Sequence, residues 1–297
     1  MNTLTNISST ARNTRSTLNN CPAPAKLNLF LHITGRREDG YHLLQSVFQL
    51  IDRCDRLDFH IREDGIIHRL NQVAGVPESS DLVVRAARLL QQHCKISLGV
   101  NIYLHKRLPM GGGVGGGSSD AATTLMALNH LWQCQLNKQQ LMQLGLQLGA
   151  DVPFFIYGQN AFVEGIGEQM QAVTTPEQWF VVIEPGVHVP TPTIFSAKEL
   201  TRNTKPVRIT DFSNAAKVEW KNDLQAVACA LHPEIANAIH WLKQFELNQG
   251  DAKMTGSGSC VFCAFPNEDA AKKVLQQVPH HWTSWIAKAL QEHPMNL

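Results

Sequence analysis

Pro109-Met110-Gly111-Gly112-Gly113-Val114-Gly115-Gly116-Gly117-Ser118-Ser119-Asp120-Ala121-Ala122-Thr123-Thr124-Leu125 is the stretch on which the fold turns. Glycine loses more conformational freedom on folding than any other residue, so such a tract signals a need for left-handed backbone or for a main chain free of side chains. Ser118 and Ser119 are good helix N-caps, and Ala121, Leu125, Leu128 and Trp132 then fall on the buried face of a helix. Upstream, Val100 to Lys106 alternates apolar and polar residues as a strand does. Strand, glycine loop and helix N-terminus converge main-chain N–H groups and the positive end of a helix dipole on one point, which suits a phosphate.

Two familiar phosphate loops do not fit. Gly117 is followed by serine where the P-loop needs lysine. A G-x-G-x-x-G runs through Gly111, Gly113 and Gly116, but from Ala121 to Ala150 there is no Asp or Glu to grip a ribose, so a dinucleotide fold is disfavoured.

Composition confines the anion site to this locality. The 297 residues carry 26 basic and 25 acidic side chains, a net charge of +1, so no global field draws the chain to nucleic acid or an anionic membrane. With 43% apolar and 17% charged residues it has enough material for one large domain or two sharing an interface. No apolar run approaches the roughly 18 to 20 residues of a membrane span, and no apolar stretch follows the start as in a secretory signal, so a soluble, intracellular, cytoplasmic protein is expected. Seven scattered cysteines read as reduced thiols. Cys260-x-x-Cys263 lies in the strand-like run Ser259 to Phe265, and no H-x-x-x-H pair accompanies it, so a buried strand is favoured over a metal or redox site.

Working outward, residues 1–20 are mostly Ser, Thr and Asn with Arg12 and Arg15 and no acid, which predicts a disordered tail rather than a transit peptide. Ala25, Leu27, Leu29, Leu31 and Ile33 then alternate in a half-buried strand, placing Lys26 and Asn28 about 7 Å apart on its opposite, exposed face. Gly35 to His42 reads as a turn ending in Tyr41 and His42, and a helix is expected from Ser80-Asp81 onward. Asn137 to Leu148 reads as a helix with Asn137 as N-cap, Gln140 completing a capping box and Gly149 as its stop. Asp151 sits in the exit loop, pinned by Pro153, and spacing alone fits a catalytic carboxylate as well as a cap for the next element. Thr255-Gly256-Ser257-Gly258-Ser259 lies between strand-like runs before a helix at Glu268 to Leu275, which suits an α+β second lobe. It fits a plain hairpin as well as an approach to a cleft.

Three ordered motifs, Pro22 to Asn28, Pro109 to Asp120 and Met254 to Val261, resemble those of the GHMP small-molecule kinases. The resemblance implies an α+β, two-lobed GHMP kinase fold. Its N-terminal S5-domain-2-like lobe would span 21–168 and its C-terminal ferredoxin-like lobe 169–297, with the active site in the cleft between them. It also implies MgATP and phosphorylation of an alcohol, with Lys26 and Asp151 catalytic. Residues Pro109, Met110, Gly111, Gly112, Gly113, Val114, Gly115, Gly116, Gly117, Ser118 and Ser119 would hold the nucleotide. Gly40-Tyr41-His42, Gly149 to Phe155 and Val189 to Phe195 are similar to segments of members whose acceptor is a cytidine-diphosphate-linked methylerythritol. In those members Asn28, Tyr41, His42 and Phe195 would contact the small-molecule substrate, the aromatic rings stacking on the pyrimidine. Asp120, often Asn in relatives, adds negative charge near the phosphates and leaves the Mg²⁺ ligands unassigned. A monomer or weak homodimer is expected, without nucleic acid or membrane partners. Homoserine or mevalonate kinase, diphosphomevalonate decarboxylase and a non-catalytic nucleotide-binding module remain as alternatives.

Overall fold

The structure, a computed structural model, describes residues 16–73, 75–213, 219–245 and 252–295. In chain order the elements are β1 (Thr17–Arg36), β2 (His42–Arg62), β3 (Ile67–Arg69), α1 (Leu82–Cys94), β4 (Gly99–His105), α2 (Gly116–Leu131), α3 (Lys138–Leu146), α4 (Val152–Tyr157), β5 (Ala161–Glu164) and β6 (Gln169–Ala172). There follow β7 (Trp179–Glu184), α5 (Thr191–Ser196), α6 (Ile209–Ser213), α7 (Gln225–Leu231), α8 (Pro233–Lys243), β8 (Lys253–Met254), β9 (Val261–Phe265), α9 (Glu268–Leu275) and β10 (Thr283–Lys288).

β1 and β2 form a long antiparallel hairpin, Arg36 opposite His42 at the turn and Thr17 opposite His60 at the far end. β2 is long enough to pair with β4 in one half and β5 in the other, which builds a six-stranded sheet of order β3-β4-β2-β5-β6 with β1 on β2. The second sheet, β10-β7-β9-β8, is antiparallel throughout. Leu57, Phe59, Leu90, Leu125, Leu128, Phe154 and Phe155 belong to the core that joins the first sheet to α1, α2, α3 and α4. Ile183, Ile235, Ile239, Val261 and Phe265 belong to the core under α8 and α9. A third cluster, with Ala25 and Leu27 from β1 and Phe180, Val182, Phe262 and Trp285 from the second sheet, clamps the two sheets together. A fourth gathers Phe30, Val47 and Phe162. Fully burying a side chain such as Leu27 or Phe180 contributes about 1.5–3 kcal/mol, so the interface is a structural joint, not a loose contact.

Several expectations change. Residues 1–15, most of the predicted tail, lie outside the described residues, but Thr17 to Asn20 already belong to β1, with Thr17 and Leu18 registered on His60 and Phe59. Composition pointed to disorder there; hydrogen bonding to β2 overrides it. β6 pairs with β5, so the first sheet runs past the expected lobe boundary at 168, and near the C-terminus Ala289 bridges back to Ile51. β1 is not half-buried: Lys26 and Asn28 are 3% and 1% exposed, Lys26 because the glycine loop passes over it at Gly115 and Asn28 because Ser46 and Thr255 close on it.

Candidate active site

The glycine tract is held by its carbonyls. Lys26 N–H donates to Val114 O at 2.9 Å, Cys260 N–H to Gly112 O at 3.1 Å and the Thr255 hydroxyl to Gly113 O at 3.3 Å. Gly113, at φ +74°, passes so close to the second lobe that a Cβ there would lie 2.2 Å from Thr255 O. Gly115, at φ 75°, occupies the N-cap of α2 with no side-chain cap, so Ser118 and Ser119 are not the predicted caps but lie within the first helical turn. A capping serine would accept from the helix N–H groups; a glycine leaves those first-turn donors to something else. Ser119 is fully buried and its hydroxyl has no partner.

Opposite the loop, Lys26 Nζ donates to Asn28 Oδ1 at 2.6 Å, lies 3.4 Å from Asp151 Oδ2 and stands 4.6 Å over the Phe48 ring. Asn28 is locked in turn, its amide donating to Ser46 Oγ at 2.9 Å and its backbone N–H to Thr255 Oγ1 at 3.0 Å. Asp151 is at the N-cap of α4, with Pro153 in the first turn, yet makes no side-chain cap hydrogen bond. One of the two readings of this residue is thereby removed: the carboxylate does not cap. Its side chain is 33% exposed.

A third group joins Asp120 to two residues not read from the sequence, Lys106 and Asp55. Lys106 Nζ, just past β4, donates to Asp55 Oδ2 at 2.5 Å and to Asp120 Oδ2 at 2.8 Å. Asp55, fully buried on β2, also accepts the backbone N–H groups of Arg107 and Leu108 and so anchors the approach to the glycine loop. Burial opposes the charge of Lys106, but Asp120 and Asp55 outweigh it and hold its pKa above the ordinary lysine value. Burial, with Lys106 opposing and Asp55 adding to it, pushes the Asp120 carboxyl up to about 8. The negative charge expected of Asp120 is therefore largely neutralised, and its Oδ1 is left without a partner.

At the far end, a tight turn closed by Arg37 N–H to Tyr41 O at 2.7 Å presents Tyr41, 60% exposed, and His42. The His42 ring meets Phe195 of α5 with centroids 5.1 Å apart and planes tilted by 40°. Phe195 also packs against the second core. Burial, then Arg202 and Arg36, keep the His42 imidazole below its usual pKa.

One cavity of about 1280 Å³ unites these parts: Lys26, Asn28, Tyr41, His42, Asp151 and Phe195 share its wall with Pro109 to Gly113 and Gly115 to Ser118. Two predicted residues are off that wall. Val114 is an apolar anchor in the cluster between the sheets, and Ser119 is buried behind the loop. Gly256, Ser257 and Gly258 reach the wall, so the third glycine motif is more than a hairpin. Among the described residues no group of three or more His, Cys, Asp or Glu is placed to hold a metal ion, and no helix is long and apolar enough to cross a membrane.

Comparison with known proteins gives a consistent result. The family described as GHMP kinases N terminal domain matches residues 81–159, and GHMP kinases C terminal matches 203–284. A 4-diphosphocytidyl-2-C-methyl-D-erythritol kinase of Herminiimonas arsenicoxydans is 66% identical over 282 residues, 94% of this chain and 97% of that relative. A crystal structure of a 4-(cytidine 5'-diphospho)-2C-methyl-D-erythritol kinase is 31% identical with a TM-score of 0.77, covering 90% of this chain and 98% of the other. A homoserine kinase from Cytophaga hutchinsonii shares the fold alone, at 15% identity and TM-score 0.66 over 95% of this chain and 98% of that one.

Proposed function

Since the chain belongs to the GHMP kinase family, we propose that it transfers the γ-phosphoryl group of ATP to the 2-hydroxyl of 4-diphosphocytidyl-2-C-methyl-D-erythritol, an isoprenoid-precursor step. The observation that carries this reading is the single cavity in which a helix-N-terminal glycine loop, a Lys26–Asp151 pair and an aromatic end are all wall.

Phosphoryl transfer asks a protein for positioning and charge neutralisation more than for covalent chemistry. First-turn N–H groups of α2 and the amides of residues 111–117 bind the ATP phosphates, helped by the dipole of a sixteen-residue helix. Asp151, free of any capping duty, accepts the proton of the attacking hydroxyl, and Lys26 beside it offsets charge on the moving group. Asn28, tied to Lys26, Ser46 and Thr255, fixes that cation and orients the acceptor. Tyr41, His42 and Phe195 take the cytosine, aromatic faces supplying affinity and polar edges identity.

Mg²⁺ takes oxygen ligands, usually one or two carboxylates with substrate phosphates and water. The partnerless Asp120 Oδ1, on the same cavity wall as Ser118, fits that pattern once the carboxyl gives up its proton under the ion's charge, and these two residues would hold the ion. When bound, it neutralises charge between the outer phosphates. The enzyme acts in the cytoplasm as a monomer or weak homodimer, which sedimentation would establish. The decisive experiment measures ADP release with and without the cytidyl substrate. Release only in its presence supports the reading, whereas release with homoserine or mevalonate instead, or with no acceptor, overturns it.

A further inference from the structure

Arg202 lies in the irregular segment after α5, and every one of its N–H donors is used, none of them on a carboxylate. Nε donates to His42 Nε2 at 3.1 Å. Nη1 donates to Leu200 O at 3.0 Å and Lys198 O at 3.4 Å, and Nη2 to Ala197 O at 2.6 Å and Phe195 O at 3.2 Å. A guanidinium cannot accept a hydrogen bond or lose its proton in a protein. The His42 nitrogen facing it must therefore carry the lone pair, which places the one ring proton on Nδ1. The same guanidinium grips four carbonyls between Phe195 and Leu200, Phe195's own among them, so one side chain sets both the imidazole and the backbone carrying its aromatic neighbour.

We propose that Arg202 is the positioning residue of the base-recognition end, fixing His42 as a neutral Nδ1–H donor beside Phe195 and thereby favouring a pyrimidine whose edge presents acceptors, cytosine over uracil. This rests on the cytidyl reading of the cavity. The chemistry is direct: cytosine N3 accepts a hydrogen bond, whereas uracil N3 carries a proton and would face a donor with a donor. A site that fixes its donors discriminates strongly, because the wrong ligand leaves buried polar groups unpaired. The His42 pKa, lowered by burial first and then by Arg202 and Arg36, agrees with an imidazole held neutral.

The test uses Arg202→Met, which keeps an apolar stem and removes every donor, and Arg202→Lys, which keeps the charge without the fork. Long-range ¹H–¹⁵N spectra, with His42 assigned by its loss in His42→Gln, should show Nδ1 protonated in the unaltered protein and a mixed tautomer in Arg202→Met. The KM for the cytidyl substrate should rise about tenfold, the worth of one lost hydrogen bond, with kcat and the KM for ATP nearly unchanged. The preference in kcat/KM for the cytidyl substrate over its uridyl analogue should shrink in parallel, and only partly recover in Arg202→Lys. A general structural role would instead lower the thermal midpoint and shift both Michaelis constants. A proton on Nε2 in the unaltered protein, or an Arg202→Met variant with unchanged KM and unchanged preference, overturns the proposal. Loss of the cytidyl reading registers separately, as an unaltered enzyme that turns over the uridyl analogue equally well while its His42 tautomer is still the one set by Arg202.

Discussion

Lys26 Nζ lies 3.4 Å from Asp151 Oδ2, and Asp151 occupies the N-cap position of α4 without a side-chain capping hydrogen bond. A carboxylate at a helix start normally accepts from the backbone N–H groups two or three residues on. Here that stabilisation is forgone and the group faces a cation across the cleft. Asp151→Asn, nearly the same shape, should therefore lower single-turnover phosphoryl transfer by at least about a hundredfold. Nucleotide binding, measured by calorimetry, should persist, and near-normal transfer would remove Asp151 from the chemistry.

Phe195→Ala should raise the KM for the cytidyl substrate by about five- to a hundredfold, since stacking a base on an aromatic ring contributes roughly 1–3 kcal/mol. The KM for ATP should not move. An unchanged cytidyl KM would leave Phe195 as a core residue only.

Gly113→Ala places a methyl group against the Thr255 carbonyl at a left-handed backbone angle. Overpacking against rigid backbone and strain at positive φ together should destabilise the fold by about 1–3 kcal/mol. Because the loop must shift, the KM for ATP should rise as well. Denaturant unfolding beside steady-state kinetics checks both; a variant of normal stability and normal ATP affinity would show that the close approach is dispensable.

Asp120 gives a pH dependence whose sign is unusual for a carboxylate. Its ordinary value is 3.8 and burial raises it to about 8 in the fold, so between these the folded chain holds a proton that the unfolded chain has released. Stability from this group therefore falls as pH rises through that window. Asp120→Asn keeps the shape of the protonated acid, and Lys106 retains Asp55. The thermal midpoint of the variant should match the unaltered protein at a pH below 3.8 and exceed it near about pH 8. Equal midpoints at both would mean that the carboxylate is ionised at no cost.

What could be read from the chain beforehand was what is local. The glycine loop between β4 and α2, the Asn137–Gln140 capping box of α3 and the buried strand holding Cys263, with Cys260 buried just ahead of it, each follow from a few neighbouring residues, and each is present. The burial of Lys26 and Asn28 was not legible, because it depends on residues from elsewhere in the chain, the glycine loop over Lys26 and Thr255 against Asn28. Arg202 and His42 are 160 residues apart, and Asp55 and Lys106 are 51 apart. Their only signal was a lone charged residue without periodicity, which sequence spacing cannot pair. Ser118 and Ser119 misled for a related reason: serine at a helix start is a capping residue on propensity, but here Gly115 begins the helix three and four residues earlier, where the loop can bend.

The strand β1 supplies Ala23 to the first core, Ala25 and Leu27 to the joint between the sheets, Phe30 to the fourth cluster and Leu31 and Ile33 to the second core. A single rod threaded through every apolar assembly leaves no hinge about which the two halves could swing. The cavity therefore stays open to ligands without the halves parting, and a cut in the chain between the halves would not free one from the other.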